Sequence, residues 1–358
     1  MRLIAFVMVL LAALTAAPAG ALEPVRAGQE NFLKRTIWSE NRLWLLTDAG
    51  QLFTITADDA APRLEFAGGP VVDMCMSGGL ARVIIETDDY PAQWTLRHRE
   101  PGQWVDDATL PARENGLQTL LCDTDGATLM THDRLITVHN GQIGGVSLSG
   151  PPGFGSTTVM ATDDKIFMGF NRGEFGGGFA IIDRATGQVE AHGDGHKGDD
   201  CAGDAGLLCG NINAFAVVPW RPQCVAMAVG LVHFSASGRI VQYCPNGVTR
   251  LYFKNYADPN GWAGGESAPT DPTVEGFSTV AFFGLMTDKD ELVAAGIDGL
   301  YHLGADGAVR IDTMPLYKRV GPFWVNFDNP DYVLVLTMSN QRFSISGATP
   351  LLVPRDEP

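Results

Sequence analysis

One strand-and-turn pattern recurs from residue 32 to residue 353, and it constrains the fold more than any other feature of the chain. An apolar strand leads into an Asp/Gly/Asn/Pro turn, then come a second apolar strand, a second turn and a third strand. The clearest copy runs Val280-Ala-Phe-Phe-Gly-Leu-Met286, Thr287-Asp-Lys-Asp290, Glu291-Leu-Val-Ala-Ala-Gly296, Ile297-Asp-Gly299, Leu300-Tyr-His-Leu303. Other copies open at Leu33, Val71, Leu117, Thr157, Ala214 and Phe323. That makes seven units of roughly 40–50 residues, the period of a four-stranded propeller blade. A more polar fourth strand follows in most units, for example at 103–110, 248–253 and 348–353. A β-sandwich also has short strands and turn signals, but it has no reason to repeat one grammar seven times. The expected fold is all-β, a seven-bladed β-propeller of four-stranded antiparallel blades. The blades fall near 30–67, 68–112, 113–150, 151–194, 210–256, 277–315 and 316–354 of a single domain over 22–358. Either 348–353 or the segment after Leu22 supplies the outer strand that closes the ring.

Two segments carry a family resemblance. Arg42-Leu-Trp-Leu-Leu-Thr-Asp-Ala-Gly-Gln-Leu52 and Glu291-Leu-Val-Ala-Ala-Gly-Ile-Asp-Gly-Leu-Tyr301 resemble blade strands of bacterial two-component-regulator and quinoprotein-like propellers. The resemblance implies the propeller fold in an exported bacterial protein. It implies no quinone, because the Trp-docking signature of the quinoproteins is missing. No Gly-His…Trp-Asp repeat occurs either.

The amino terminus reads as an address. Arg2, an apolar run over 3–17, Pro18 and Ala19-Gly20-Ala21 form a secretory signal peptide over 1–21, cut before Leu22. The apolar run is shorter than the roughly 20 residues that span a bilayer, so no membrane insertion is expected once it is removed. The destination is the periplasm or the exterior. Six cysteines follow the signal, and an even number in an exported chain reads as a disulfide framework. Nearest-neighbour pairing gives Cys75–Cys122, Cys201–Cys209 and Cys224–Cys244. No Cys-x-x-Cys spacing occurs, which leaves zinc and thioredoxin-type chemistry without support.

Asp and Glu outnumber Lys and Arg 41 to 25, for a formal net charge of −16. Such a surface repels phosphate backbones and so excludes nucleic acid as a partner. The partners left are a small molecule, a glycan or another exported protein.

Most turns are short, and three long connections stand out. By blade topology all three emerge on one face, over blades four to six. Residues 171–178 join strands two and three of blade four and carry Asn171, Arg172 and Glu174 among four glycines. Glycines let a backbone approach a ligand, Arg172 with exposed N–H groups would hold an anion, and Glu174 is the candidate acid/base group. Alternatively the glycines only relieve strain in a wide hairpin. Residues 191–210 carry His192, Asp194, His196, Asp199, Asp200 and Asp204. Carboxylates spaced by glycines can wrap a hard cation such as Ca²⁺, and the histidines would add affinity for another divalent metal. The plainer account is a solvated acidic loop pinned by Cys201–Cys209. Residues 254–276 carry Tyr256, Asp258, Asn260, Trp262 and Glu266, where an aromatic beside carboxylates and amides suits a sugar. Trp262 packed on the rim is the structural alternative. The remaining tryptophans fall on strands or turns as blade core, and the scattered histidines suggest no Ser-His-Asp order.

Two functions are compatible with this face. A binding or scaffold propeller needs no catalytic motif, and none is evident. A hydrolase or lyase of a carbohydrate or acidic substrate would need Glu174 or a loop histidine as general acid/base, with Arg172 holding substrate charge. The address itself is directly testable: protein recovered from the exported fraction should begin at Leu22, and intact-mass measurement finding Met1 there would remove the signal-peptide assignment.

Overall fold

A computed structural model describes residues 33–354 except 57, 60–61, 66–68, 88–89, 114–115, 124–125, 154–155, 194–208, 233–234, 257–277, 308, 314–322, 330–331 and 338–350. Its strands form seven antiparallel sheets, six of them four-stranded and one three-stranded among the described residues. Blade one holds β1 (Leu33–Ser39), β2 (Arg42–Thr47), β3 (Leu52–Ile55) and β4 (Arg63–Leu64). Blade two holds β5 (Val71–Ser77), β6 (Leu80–Glu86), β7 (Gln93–Glu100) and β8 (Gln103–Pro111). Blade three comprises β9 (Leu117–Asp123), β10 (Gly126–Thr131), β11 (Arg134–His139) and β12 (Gln142–Ser147). Blade four comprises β13 (Ser156–Ala161), β14 (Lys165–Asn171), β15 (Gly177–Asp183) and β16 (Val189–His192). Blade five has β17 (Ile212–Val217), β18 (Val225–Val232), β19 (Ala236–Cys244) and β20 (Gly247–Tyr252). Blade six has β21 (Phe282–Asp288), β22 (Glu291–Gly296), β23 (Gly299–Leu303) and β24 (Val309–Thr313). Blade seven shows β25 (Phe323–Asn326), β26 (Tyr332–Thr337) and β27 (Leu351–Pro354). The chain is a seven-bladed β-propeller, as the repeat requires.

The core is divided among the blade interfaces. Among the described residues each of seven apolar clusters lies between two neighbouring blades, from Ile37, Trp44 and Leu46 against Met74 and Val83 to Ala295 and Leu300 against Val333 and Val335. Leu334 joins Leu33, Leu43, Leu45 and Phe53, so blade seven packs on blade one and the ring is closed. A middle strand therefore buries both of its faces: Leu129 of β10 points toward blade two and Met130 toward blade four. This explains why such strands read as unbroken apolar runs rather than as alternating ones. Trp44 and Trp94 are fully buried, as blade-core tryptophans should be.

The first strands of successive blades touch one another around the centre. Six of the seven blades skip one residue of the first strand in pairing with the second: Lys34, Val72, Gln118, Thr157, Asn213 and Phe283. Such bulges sharpen the local twist and re-aim side chains. Lys34 Nζ accordingly donates to the carbonyl of Val72 at 2.6 Å, and Asn213 Nδ2 to that of Phe282 at 2.9 Å, each on the next blade.

Arg35 ties three blades together. Its Nη1 donates to the carbonyls of Met74 and Leu120, its Nη2 to Thr119 Oγ1, and its Nε lies 3.3 Å from Asp73 Oδ1. Asp73 is 1% exposed and accepts the Leu120 amide on its other oxygen at 2.7 Å. The Cys75–Cys122 disulfide joins the same two strands, β5 and β9, and Cys224–Cys244 staples the residue before β18 to the end of β19. Separations of 47 and 20 residues correspond to about 4 and about 3 kcal/mol of unfolded-chain entropy removed. Cys209 is also disulfide-bonded; its expected partner Cys201 lies outside the described residues.

Blade seven departs from expectation. Residues 348–353 read in the sequence as its outer, fourth strand. Leu351–Pro354 pairs directly with β26, Val335 facing Leu351 and Tyr332 facing Pro354, and so takes the third position. Apolar Leu351, Leu352 and Val353 match Val333, Leu334 and Val335 as partners, a pairing that local sequence order does not reveal.

Replacing Arg35 with Met should cost about 3 kcal/mol in urea unfolding, because the Asp73 carboxylate stays buried without its cation. The double change Arg35→Met with Asp73→Leu should recover much of the loss; equal stability of the single variant and the parent would deny the ion pair its role.

Candidate functional site

The connections between strands two and three, and from strand four to the next blade, share one face of the ring. Residues 172–176 form its best-described projection. Asn171 Nδ2 donates to Asn213 Oδ1 at 2.6 Å, while Asn171 Oδ1 accepts the Gly173 amide. Asn211, 5% exposed, accepts the Arg172 amide and donates to the Gly173 carbonyl. Asn213 continues to the carbonyls of Gly230 and Phe282. Three asparagines from two blades thus hold the loop and lock blades four, five and six together.

The amides of Arg172, Gly173, Phe175 and Gly176 all donate within the protein, so they are not the exposed anion cradle that the glycines suggested. A Cβ on Gly177 would lie 2.4 Å from the Gly210 carbonyl oxygen, and one on Gly178 2.4 Å from that of His192. These glycines are there because neighbouring backbones pass too close for a side chain.

What the loop presents is side chains. Phe175 at its tip is 81% exposed, Glu174 beside it is exposed, and the Arg172 guanidinium lies 5.8 Å from the centre of the Phe170 ring. Arg172 and Glu174 share this loop with Asn171, whose side chain is spent on holding it. An exposed carboxylate is not in the deep pocket that a tuned general acid requires.

His192 is placed inside the wall. Its ring stacks on Phe179 with centroids 4.7 Å apart, Tyr243 lies at 5.4 Å, and its Nε2 is 3.1 Å from Glu190 Oε1. Burial pushes the imidazole below its ordinary pKa against the opposing pull of Glu190. Burial first, and Glu190 second, raise the Tyr243 phenol. Asp194, His196, Asp199, Asp200, Asp204, Trp262 and Glu266 lie outside the described residues, as do Asp258 and Asn260. Among the described residues no group of three or more His, Cys, Asp or Glu is placed to hold a metal.

A third feature of this face was not evident in the sequence. Lys254 Nζ donates to Asp298 Oδ2 at 2.6 Å and to Tyr301 Oη at 3.3 Å, and Tyr301 donates to Asp298 Oδ1 at 2.5 Å. The lysine starts the long connection from blade five to blade six, and Asp298 sits in the tight turn between β22 and β23. Only the Ile297-Asp-Gly turn marked this position, and a turn aspartate is too common to suggest a lysine partner 44 residues away. The cluster pins the base of that connection to blade six.

No family model matches the sequence, and no curated protein matches it. Solved structures do. YCF48 bound to D1 peptide superposes with a TM-score of 0.52 at 13% identity, covering 88% of this chain and 92% of that one. A chain of the Mitotic Checkpoint Complex gives a TM-score of 0.52 at 12% identity, covering 96% and 97%. The extracellular domain of a one-component system from B. thetaiotaomicron matches at 15% identity with a TM-score of 0.45, and this chain spans only 38% of its length. The likeness shows the fold alone.

His192 gives a pH prediction. Its folded-state pKa is depressed, so the neutral ring adds stability above about pH 6.5 that is lost as pH falls through the folded-state value. His192→Phe should flatten the fall of Tm on the acid side of about pH 6.5. An unchanged profile would show that the ring does not titrate from this buried position.

Proposed function

We propose that the protein is an exported binding or scaffold propeller that offers the loop-rich face over blades four to six to a ligand or a protein partner. One observation carries this: the 172–176 loop is held by asparagines from two blades, yet its tip leaves Phe175 81% exposed. A rigid loop that displays an aromatic ring to solvent has already lost the entropy that binding would otherwise cost, and aromatics are the commonest anchors of interfaces. Glu174 beside it and Arg172 below supply the charged rim.

Other observations agree. Disulfides between strands suit an oxidising compartment. Among the described residues no helix is long and apolar enough to cross a membrane. YCF48, with the same fold, is seen with a peptide bound. Nothing in the described residues favours the hydrolase or lyase alternative, since Glu174 is exposed and the histidines with resolved contacts serve the sheet. His98 meets Asp107 at 2.7 Å and His302 meets Glu291 at 2.7 Å, both across neighbouring strands.

The test is site-specific photo-crosslinking in the producing cell. A photoreactive residue at position 175 should yield a discrete adduct, and one at exposed Asp306 on the opposite face should not. The adduct should also disappear when Glu174→Lys and Arg172→Glu are introduced together. Equal labelling from both positions, or none from 175, would remove this face as the binding surface.

A further inference from the structure

The seven blades are internal copies of one sheet, so their outer edges can be compared with one another. An outer strand carries unpaired N–H and C=O groups, and proteins blunt it with shortness, charge, proline or a bulge. Six blades do so in their outermost described strand. β4 is two residues long and contains Arg63, and β16 is four long with Glu190. β8 carries Asp106, a bulge and Pro111. β20 carries Arg250 and a bulge, β24 carries Arg310 and Asp312, and β27 ends at Pro354.

Blade three does none of this. Its edge strand β12 is Gln142-Ile143-Gly144-Gly145-Val146-Ser147, six residues with no charge and no proline. It pairs with β11 without any register shift, and Ile143 is 50% exposed. The Leu148 amide donates to the Asp133 carbonyl, and this fixes which residues face inward. By antiparallel alternation Gln142, Gly144 and Val146 bond to β11, while Ile143, Gly145 and Ser147 direct their N–H and C=O groups outward. The Ser147 end is covered by Gly187 of blade four, where a Cβ would lie 2.1 Å from the Ser147 oxygen. Ile143 and Gly145 remain open.

We infer that β12 is a docking edge, to which an extended cationic segment of another polypeptide adds as a fifth strand of blade three. Charge selects that occupant. The full sequence carries −16, and the outer strands on either side present Asp106, paired with Arg97, and Glu190, beside His192, with side chains 56% and 63% exposed. A second copy of the chain would set those acids against their own kind, whereas alternating Lys side chains on an added strand would meet them. The main chain would supply the affinity and the flanking acids the selectivity. This surface is separate from the loop-rich face, and its failure would leave that proposal standing.

The experiment uses the purified protein and a capped Lys-Val-Lys-Val-Lys peptide, with Glu-Val-Glu-Val-Glu as its control. Amide exchange over fragments covering 140–149 should slow about tenfold with the lysine peptide and not with the glutamate peptide. Ile143→Pro removes one outward donor without touching a bond to β11, and it should abolish the protection at unchanged Tm. Should that variant fail to fold, Ile143→Lys keeps the backbone and should weaken binding by about tenfold. Protection by both peptides alike, persistence of protection in both variants, or no protection at millimolar peptide would overturn the inference. So would a dimer of the protein alone, seen by sedimentation and lost in Ile143→Pro, because the edge would then belong to a second copy.

Discussion

A ring of seven wedges holds only if the last wedge finds the first. Here Asn326 Nδ2 donates to the Thr36 carbonyl at 2.9 Å, the Trp38 amide reaches Asp328 Oδ2 at 3.3 Å, and Leu334 enters the apolar layer of blade one. These contacts join residues about as far apart in sequence as the fold brings together. Each of the other interfaces is likewise an apolar layer between neighbours, most of them larger than this one, so no single core carries the stability. Closure gives every blade an apolar layer on each neighbour among the described residues.

Polar side chains supply the specificity that flat apolar layers lack. Ser39 Oγ donates to the Gly79 carbonyl, Ser77 Oγ to Asp123, Thr287 Oγ1 to Val217, and Arg35 to Met74 and Leu120. Each bond crosses between blades, the one from Arg35 to Leu120 reaching two blades on, and most end on a carbonyl of a first strand. Arg184 does the same between blades four and three, through both oxygens of Asp123. Apolar layers alone would let blades slide; these bonds fix their register. The bulges in the first strands serve the same end, turning residues such as Lys34 and Asn213 toward the next blade.

The loop-rich face inherits that rigidity. Asn171, Asn211 and Asn213 serve at once as blade connectors and as the mount for residues 172–176, and Lys254 with Asp298 secures the next long connection. Of the glycines in this loop, Gly177 and Gly178 are spacers for close backbones and Gly173 and Gly176 take positive φ, while His192 lies against the rings of Phe179 and Tyr243. Neither the close backbones nor the ring contacts could be seen in a local window. Gly177 is required by Gly210, and His192 is half-buried against Tyr243 of another blade; both partners arrive only when neighbouring blades pack.

The sequence by itself determined the blade. Apolar runs of strand length, separated by turn residues and repeated seven times, can satisfy their backbone bonds within antiparallel sheets and bury their faces only against neighbouring copies. Nearest-neighbour pairing of the cysteines anticipated two disulfides that the structure shows, Cys75–Cys122 between adjacent repeats and Cys224–Cys244 within one blade, but it did not determine them. Tertiary structure alone decided what lies between blades: the reach of Arg35 across β5 to β9, the third-strand position of Leu351–Pro354, and the burial of His192. Hydrogen bonding along a strand depends on local order, which a sequence displays. Contacts between blades depend on the twist and stagger of whole sheets, and those are set only when all seven pack in a circle.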